Sequence, residues 1–383
     1  MNIKKKDWIS NFTLVGELKL GDYSYKLDEV SENNPDYVYN SLNLGVDCGE
    51  KHGTVFCEMF GGYNSKKDNI IYAHGKKEDG KDDWENSITV DWDDRNNDDI
   101  LDEIGDSCFI TVGLEKTEKG KTYYKQFLSA YDAIKYINET AESGMVVNVK
   151  GKLQFSQYKD TVQVRKNITS IVLSKVEKVA DYKAVFTQTV LLDKDSVDKK
   201  NIDKDKGVLY LDTTVLDYVS KIGNTEVKSQ YPFHYTFDFA MNFEDEKKCK
   251  LIMDKVLKVK KDYTQITFEG EFVESGATVE VTMDDVPDDI KELIEAGIYT
   301  EEQALERCSA NGNRERRMIL MRPVIRLIGE DKIPTIQKFE ERYTEEDLTV
   351  DVSFEDETAD DVNDSDDTDD DDDDDFNIED LFD

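Results

Sequence analysis

Between Phe12 and Leu173 apolar residues recur at every second position in short runs: FTLVGELKL, SLNLGVDC, TVFCEMF, FITVGL and TYYKQFL. Clusters of Gly, Asn, Asp and Lys separate them. Period two marks half-buried strands, because successive side chains point to opposite faces of a sheet. The spacing changes at Ser129, which opens SAYDAIKYINETAESG; there Ile134, Ile137 and Ala141 share one helical face and Gly144 follows as a stop. Two further strands, MVVNVKGKLQF and TVQVRKNITSIVL, are joined by the tight segment SQYKD. Residues 1–180 therefore read as a run of strands, one helix and a closing hairpin.

A second β-rich unit, residues 181–350, begins near Asp181, with KAVFTQTVLL, GVLYLDTTVL, FHYTFDFAM, TQITFEGEFV and ATVEVTM as strands. Helices are expected near 287–310: Pro287 starts DDIKELIEAG, which Gly297 stops, and Thr300 with Gln303 forms a capping-box pattern before EEQALERCSANG. A final strand, RRMILMRPVIRLI, follows. The fold class is mainly β with a few short helices. No clean sequence repeat relates the two units, and no long Ser/Gly linker separates them.

Composition changes the picture at one end. The chain has 383 residues, with 86 Asp+Glu against 49 Lys+Arg and a formal net charge of −37, which excludes a simple basic nucleic-acid-binding domain. Residues 355–383 hold 18 Asp/Glu and no Lys or Arg, with an unbroken Asp run from Asp369 to Asp375. Such a block repels itself and has little apolar surface to offset the entropy of ordering, so residues 351–383 are expected to be a disordered acidic tail. There is no run of 18 apolar residues and no signal-peptide pattern at the start, so a soluble, cytoplasmic protein without membrane contact is expected. Five cysteines, an odd number spread widely, fit reduced thiols.

Local charge carries the functional signal. Residues 145–183 hold eight Lys/Arg against three acidic residues, 247–261 hold seven Lys against one Asp, and five of nine arginines lie between Arg314 and Arg326. Alternation on 145–155 puts Val147, Val149, Leu153 and Phe155 on one face, with Lys150, Lys152 and Gln154 on the other. Pairing with 161–168 makes a cationic ridge of Lys150, Lys152 and Arg165, next to Lys166 and tipped by Tyr158 and Lys159. TYYKQF adds Tyr123, Lys125 and Phe127 on one face. Cations that track phosphates, interleaved with rings that stack on bases, suit a sequence-tolerant single-strand binder. Arg316, Arg317 and Arg322 form a second, weaker set of candidate contacts.

The segments YNSLNLGVDCGEKHGTVFCEMFGGY and GMVVNVKGKLQFSQYKDTVQVRKNITSIVL resemble phage-encoded single-stranded DNA-binding proteins of the oligonucleotide/oligosaccharide-binding (OB) fold, most clearly over residues 11–180. The resemblance implies a five-stranded Greek-key barrel with a helix before the fourth strand. It also implies a role in DNA replication, recombination or repair in an infected bacterial cell. The tail is similar to the acidic ends of such proteins, although it lacks their terminal Pro-Phe. Its tip, FNIEDLFD, offers Phe376, Ile378, Leu381 and Phe382 to a polymerase, helicase/primase or recombinase. Its carboxylates would also compete with DNA phosphates for a basic groove.

Other chemistries fit the residues less well. Cys48, His52 and Cys57, with His74 and Cys108 further on, make a conceivable zinc site, but tight C-x2-C pairs are missing. The Asp-rich segments starting at Asp91 and Asn201 depart from the calcium-loop pattern at the ligand and Gly positions. No phosphate-cradling GxxxxGK[ST] occurs, and three histidines suggest no nucleophile-base triad. The expectation is a binder without catalytic residues, metal or cofactor. A metal-dependent nuclease assembled from distant carboxylates and an acidic adaptor that mimics DNA are the rivals, and the second leaves the basic islands unexplained.

Overall fold

Strand pairing organises the chain, and in the computed structural model the described residues are 3–158, 161–197, 201–222, 225–275, 315–328 and 332–349, with 291, 294 and 300. In chain order the first half contains β1 (Ser10–Lys19), β2 (Tyr25–Ser31), β3 (Asn34–Asp47), β4 (Thr54–Asn64), β5 (Ile70–Lys76), β6 (Asp82–Asp91), α1 (Asp98–Leu101), β7 (Ile110–Lys116), β8 (Thr122–Phe127), α2 (Ala130–Thr140), β9 (Val146–Tyr158) and β10 (Thr161–Leu173). The second contains β11 (Lys183–Leu192), β12 (Ile202–Asp203), β13 (Val208–Ile222), β14 (Thr225–Ala240), α3 (Glu246–Ile252), β15 (Thr264–Ser275), β16 (Glu315–Pro323), β17 (Ile325–Ile328), β18 (Ile333–Ile336), β19 (Lys338–Glu340) and α4 (Glu345–Leu348). The protein is mainly β.

Five strands of the first half close on themselves. β1 pairs with β3, β3 with β4, β4 in parallel with β10 at Asn167↔Glu58, β10 with β9, and β9 back to β1. The second half repeats this connectivity: β11 with β13, β13 with β14, β14 in parallel with β16 at Asp238↔Ile319, β16 with β15, and β15 back to β11. Each ring carries a helix between its third and fourth strands, α2 in the first and α3 in the second. The rings are joined by antiparallel β1 and β11, from Ser10↔Gln188 to Val15↔Lys183.

Alternation fixes what points inward. Phe12, Leu14 and Leu18 of β1 bury with Val147, Val149, Leu153 and Phe155 of β9. α2 packs beside them through Tyr131, Ala133, Ile134 and Ile137, and its Ser129 cap accepts a hydrogen bond from Tyr131 N at 3.1 Å. Gly61 permits this: a Cβ there would lie 2.7 Å from Tyr131 N.

One apolar core passes through both rings, with Phe155 against Tyr235 (ring centroids 5.5 Å) and Phe237 (6.4 Å), and Phe186 against Phe272 (4.9 Å). Fully burying one such side chain contributes about 1.5–3 kcal/mol. Beside the core, His52 Nδ1 lies 2.8 Å from Phe272 O. Gly53, at φ 68°, lies so close that a Cβ would fall 1.9 Å from Glu274 O. Only glycine combines that left-handed conformation with that approach.

The helix expected after Ser129 is α2. Within the lysine-rich segment 247–261, residues 247–257 are helical, in α3 and the π-helical turn Met253–Leu257. Apart from residues 291, 294 and 300, the helices expected near 287–310 lie outside the described residues, as do the strand ATVEVTM and the tail 351–383. Among the described residues no helix is long and apolar enough to cross a membrane.

Candidate nucleic-acid interface

The outward face of the first ring is built from register. One row crosses all five strands: Asn11 pairs with Lys152, Lys152 with Asn167, Asn167 with Glu58, and Glu58 with Asn43. The adjacent row runs Thr13, Lys150, Ser170, Thr111 and Gln126. On the other side Gln154 stands opposite Arg165. Because Val147, Val149, Leu153 and Phe155 take the inward positions, Lys150, Lys152 and Arg165 share the solvent face. Among the described residues Lys150 and Lys152 make no ion pair. The side chain of Arg165 is 58% exposed and lies 3.6 Å from Glu58.

Lys166 has the opposite parity. It points toward the second ring, where its Nζ lies 3.1 Å from the buried Glu274 carboxylate and 5.0 Å from the Phe272 ring centroid. It is therefore not part of the ridge. Tyr158 pairs with Thr161 at the end of the hairpin, and its side chain, like all of Lys159, falls outside the described residues. So do Phe376, Ile378, Leu381 and Phe382.

Tyr123, Lys125 and Phe127 share one face of β8, as alternation predicts, but that face is turned away from Lys150. Phe127 is 5% exposed and belongs to the core, with Tyr136 of α2 at 5.4 Å. Its burial fixes the phase of β8, so Lys125 lies over the Phe127 and Tyr136 rings at 5.2 and 4.6 Å, away from Lys150. Tyr123, half exposed, shares their parity. Gln126 instead continues the Lys150 row, and two residues along is the exposed Tyr124, whose ring lies across Gly113.

The arginines of β16 also separate. Arg317 is engaged by Asp238, and Arg322 lies 2.6 Å from Glu269 across the strand pair. Arg316 is 63% exposed and reaches Glu274 only at 3.8 Å. On the fourth strand of the second ring, β15 carries Glu269 and Glu271 where the first ring's β9 carries lysines. The two rings share connectivity but differ in charge.

An aromatic cluster on β3 and β4 was missed by reasoning from charge. Phe60, 58% exposed, lies 5.2 Å from Tyr39 and 6.4 Å from Tyr37, and pairs with Ser41, which pairs with Lys26 of β2. Gly62 makes room for it, since a Cβ there would come within 2.9 Å of the Tyr37 ring. The signal was present in DYVYNSLN and EMFGGY, where rings alternate with small or polar residues. These residues flank the same pair of strands that supplies Asn43 and Glu58.

The conceivable zinc ligands serve packing. His52 is buried and held to Phe272 O, and burial pushes the Cys48 thiol up to about 12 and raises Cys57 as well. His74 lies elsewhere, stacked on Trp84 at 4.0 Å. The Asp91 segment forms a short turn and α1, and its Arg95 reaches Asp132 of α2 at 2.6 Å.

No protein-family model matches the sequence, and no curated protein does. In shape the chain is similar to the wild-type single-stranded DNA binding protein from Thermus aquaticus, with TM-score 0.29 and 9% identity over 70% of this chain and 86% of that one. A deletion mutant of the same protein gives TM-score 0.30 and 10% identity over 70% and 88%.

Proposed function

We propose that this chain binds single-stranded DNA, without catalysis, on the outward face of its first ring. The observation that carries the reading is the juxtaposition of Lys150 and Lys152, free of ion pairs among the described residues, and Arg165 with the exposed Phe60 and the half-buried Tyr37 and Tyr39 beside it on one continuous β-surface. The strand order, with its parallel third and fifth strands and its intervening helix, is that of an OB barrel, whose second and third strands and hairpin loops are the usual oligonucleotide surface. On this reading residues 1–180 are the DNA-binding barrel and residues 181–350 a second barrel of the same plan. By sequence, Tyr158 and Lys159 extend the cationic and aromatic margin of the first barrel, whereas Tyr123 and Lys125 lie on the opposite face of β8 and fall outside it.

Together with the resemblance of residues 11–180, this supports a coating role in phage DNA replication and recombination. The acidic tail would recruit replication enzymes through Phe376, Ile378, Leu381 and Phe382. Titration of labelled oligo(dT), an equivalent RNA and duplex DNA across salt concentrations tests the reading. Saturable binding of the single strand that weakens with salt, without magnesium-dependent loss of label, is expected. Absence of saturable binding would overturn it. Truncation after Phe354 should abolish capture of replication enzymes and tighten single-strand binding at low salt; an unchanged truncated form would refute the tail's role.

A further inference from the structure

Between the two rings lies a cleft of about 350 Å³ lined by Asn43, Phe56, Glu58, Arg165, Lys166, Glu274 and Arg316, among others. It is built from both halves of the chain: β3, β4 and β10 supply one wall, β15 and β16 the other. Its volume is at the small end of the ~300–1,000 Å³ of small-ligand sites, which suits one nucleotide rather than a run of them. Three cations face two carboxylates there. Lys166 and Glu274 satisfy each other in the floor, at 3.1 Å, with Glu274 only 7% exposed.

Arg165 and Arg316 stand at the rim, more than half exposed, and their pairs with Glu58 and Glu274 are long, at 3.6 and 3.8 Å. A guanidinium has five N–H donors in a planar fork, so each arginine keeps donors for a phosphate after such a contact. Phe56, half-buried, forms an apolar floor across Gly45, where a Cβ would come within 3.3 Å of its ring.

We infer that this cleft is a nucleotide subsite in which Arg316, from the second ring, completes the single-strand path of the first. The inference rests on the single-strand reading above. A strand laid over Lys150 and Lys152 passes Arg165 at the edge of the face and enters the cleft. There a phosphate bridges Arg165 and Arg316. The second ring then contacts DNA at the junction, and its own fourth-strand face, carrying Glu269 and Glu271, stays off the path. Arg322 is the internal control, because it lies on the same strand but does not line the cleft, and it pairs with Glu269 at 2.6 Å.

The test compares the unmodified full chain with R316A, R316K and R322A by anisotropy of labelled oligo(dT) at several salt concentrations, with thermal melts to confirm folding. R316A is expected to weaken binding several-fold at low salt and to reduce the slope of log affinity against log salt by about 0.7, the value of one phosphate contact on a single strand. R316K should retain the slope, and R322A should match the unmodified chain. If the unmodified chain binds and R316A binds equally with the same slope, the subsite is refuted while the single-strand reading stands. If the unmodified chain does not bind, both fall.

Discussion

Replacing Lys150 and Lys152 together by Ala is the most direct perturbation of the proposed interface. Both side chains are exposed on β9, both face away from the core, and neither is committed to an internal carboxylate among the described residues, so each is available to a phosphate. Each phosphate neutralised on a single strand contributes about 0.7 to the salt slope, so the double variant should lose about 1.4 from it. Between about 50 and 200 mM salt it should therefore lose roughly sevenfold less affinity than the unmodified chain, while binding more weakly at the low end. Arg165→Ala should reduce the slope by less, because Glu58 at 3.6 Å already neutralises part of that charge. By the same logic Glu58→Gln should steepen the slope and tighten binding. Anisotropy titrations of labelled oligo(dT) at four or more salt concentrations measure all of these. A double lysine variant with the slope and low-salt affinity of the unmodified chain would show that the strand does not cross this face.

Phe60→Ala should weaken binding by about 1–3 kcal/mol at every salt concentration and leave the slope unchanged, since stacking involves no counterion release; a changed slope would contradict a stacking role. Phe155→Ala should cost about 3–5 kcal/mol in urea unfolding, because the ring is 1% exposed and packs on Tyr235 and Phe237 of the other ring. A cost under about 1 kcal/mol would mean that the hairpin is not docked there. Asp28 provides a pH test. Its carboxylate accepts a hydrogen bond from Tyr131, the main cause that holds its pKa below the usual range, with Lys135 Nζ at 2.9 Å the next. The folded form therefore favours the anion, and this stabilisation is present above about pH 4 and lost as pH falls through the lower folded value. Asp28→Asn, tolerated at φ 54°, should flatten that part of the urea-midpoint profile between neutral pH and pH 3, and an identical profile would rule the contact out.

How much was legible in the sequence depended on whether a residue's surroundings are local. Period two on 145–155 and 161–168 assigned Lys150, Lys152 and Arg165 to the side opposite Val147, Val149 and Leu153, because strand geometry alone alternates side chains. Ser129, Ile134, Ile137 and Gly144 likewise contained α2. TYYKQF could not be phased this way: both parities carry a ring, and the choice came from Phe127 finding Tyr136 on α2. Lys166 sits beside Arg165 in sequence but points to Glu274, a partner supplied by the other half of the chain. The Tyr37, Tyr39 and Phe60 cluster needed the β3–β4 register, and the cleft at Arg316 needed two rings brought side by side.

The sequence by itself determined the strand-rich character of the chain, the inward and outward alternation of its hairpins, the first ring's helix and the strong segregation of charge. Only the tertiary structure decided which strands close a ring, that the second half repeats the first half's connectivity without repeating its residues, and that the two outward faces differ in charge. Alternation is a property of each strand, satisfied by many sequences. Closure and facing depend on hydrogen-bond partners and buried contacts far apart in the chain, and no local pattern specifies these.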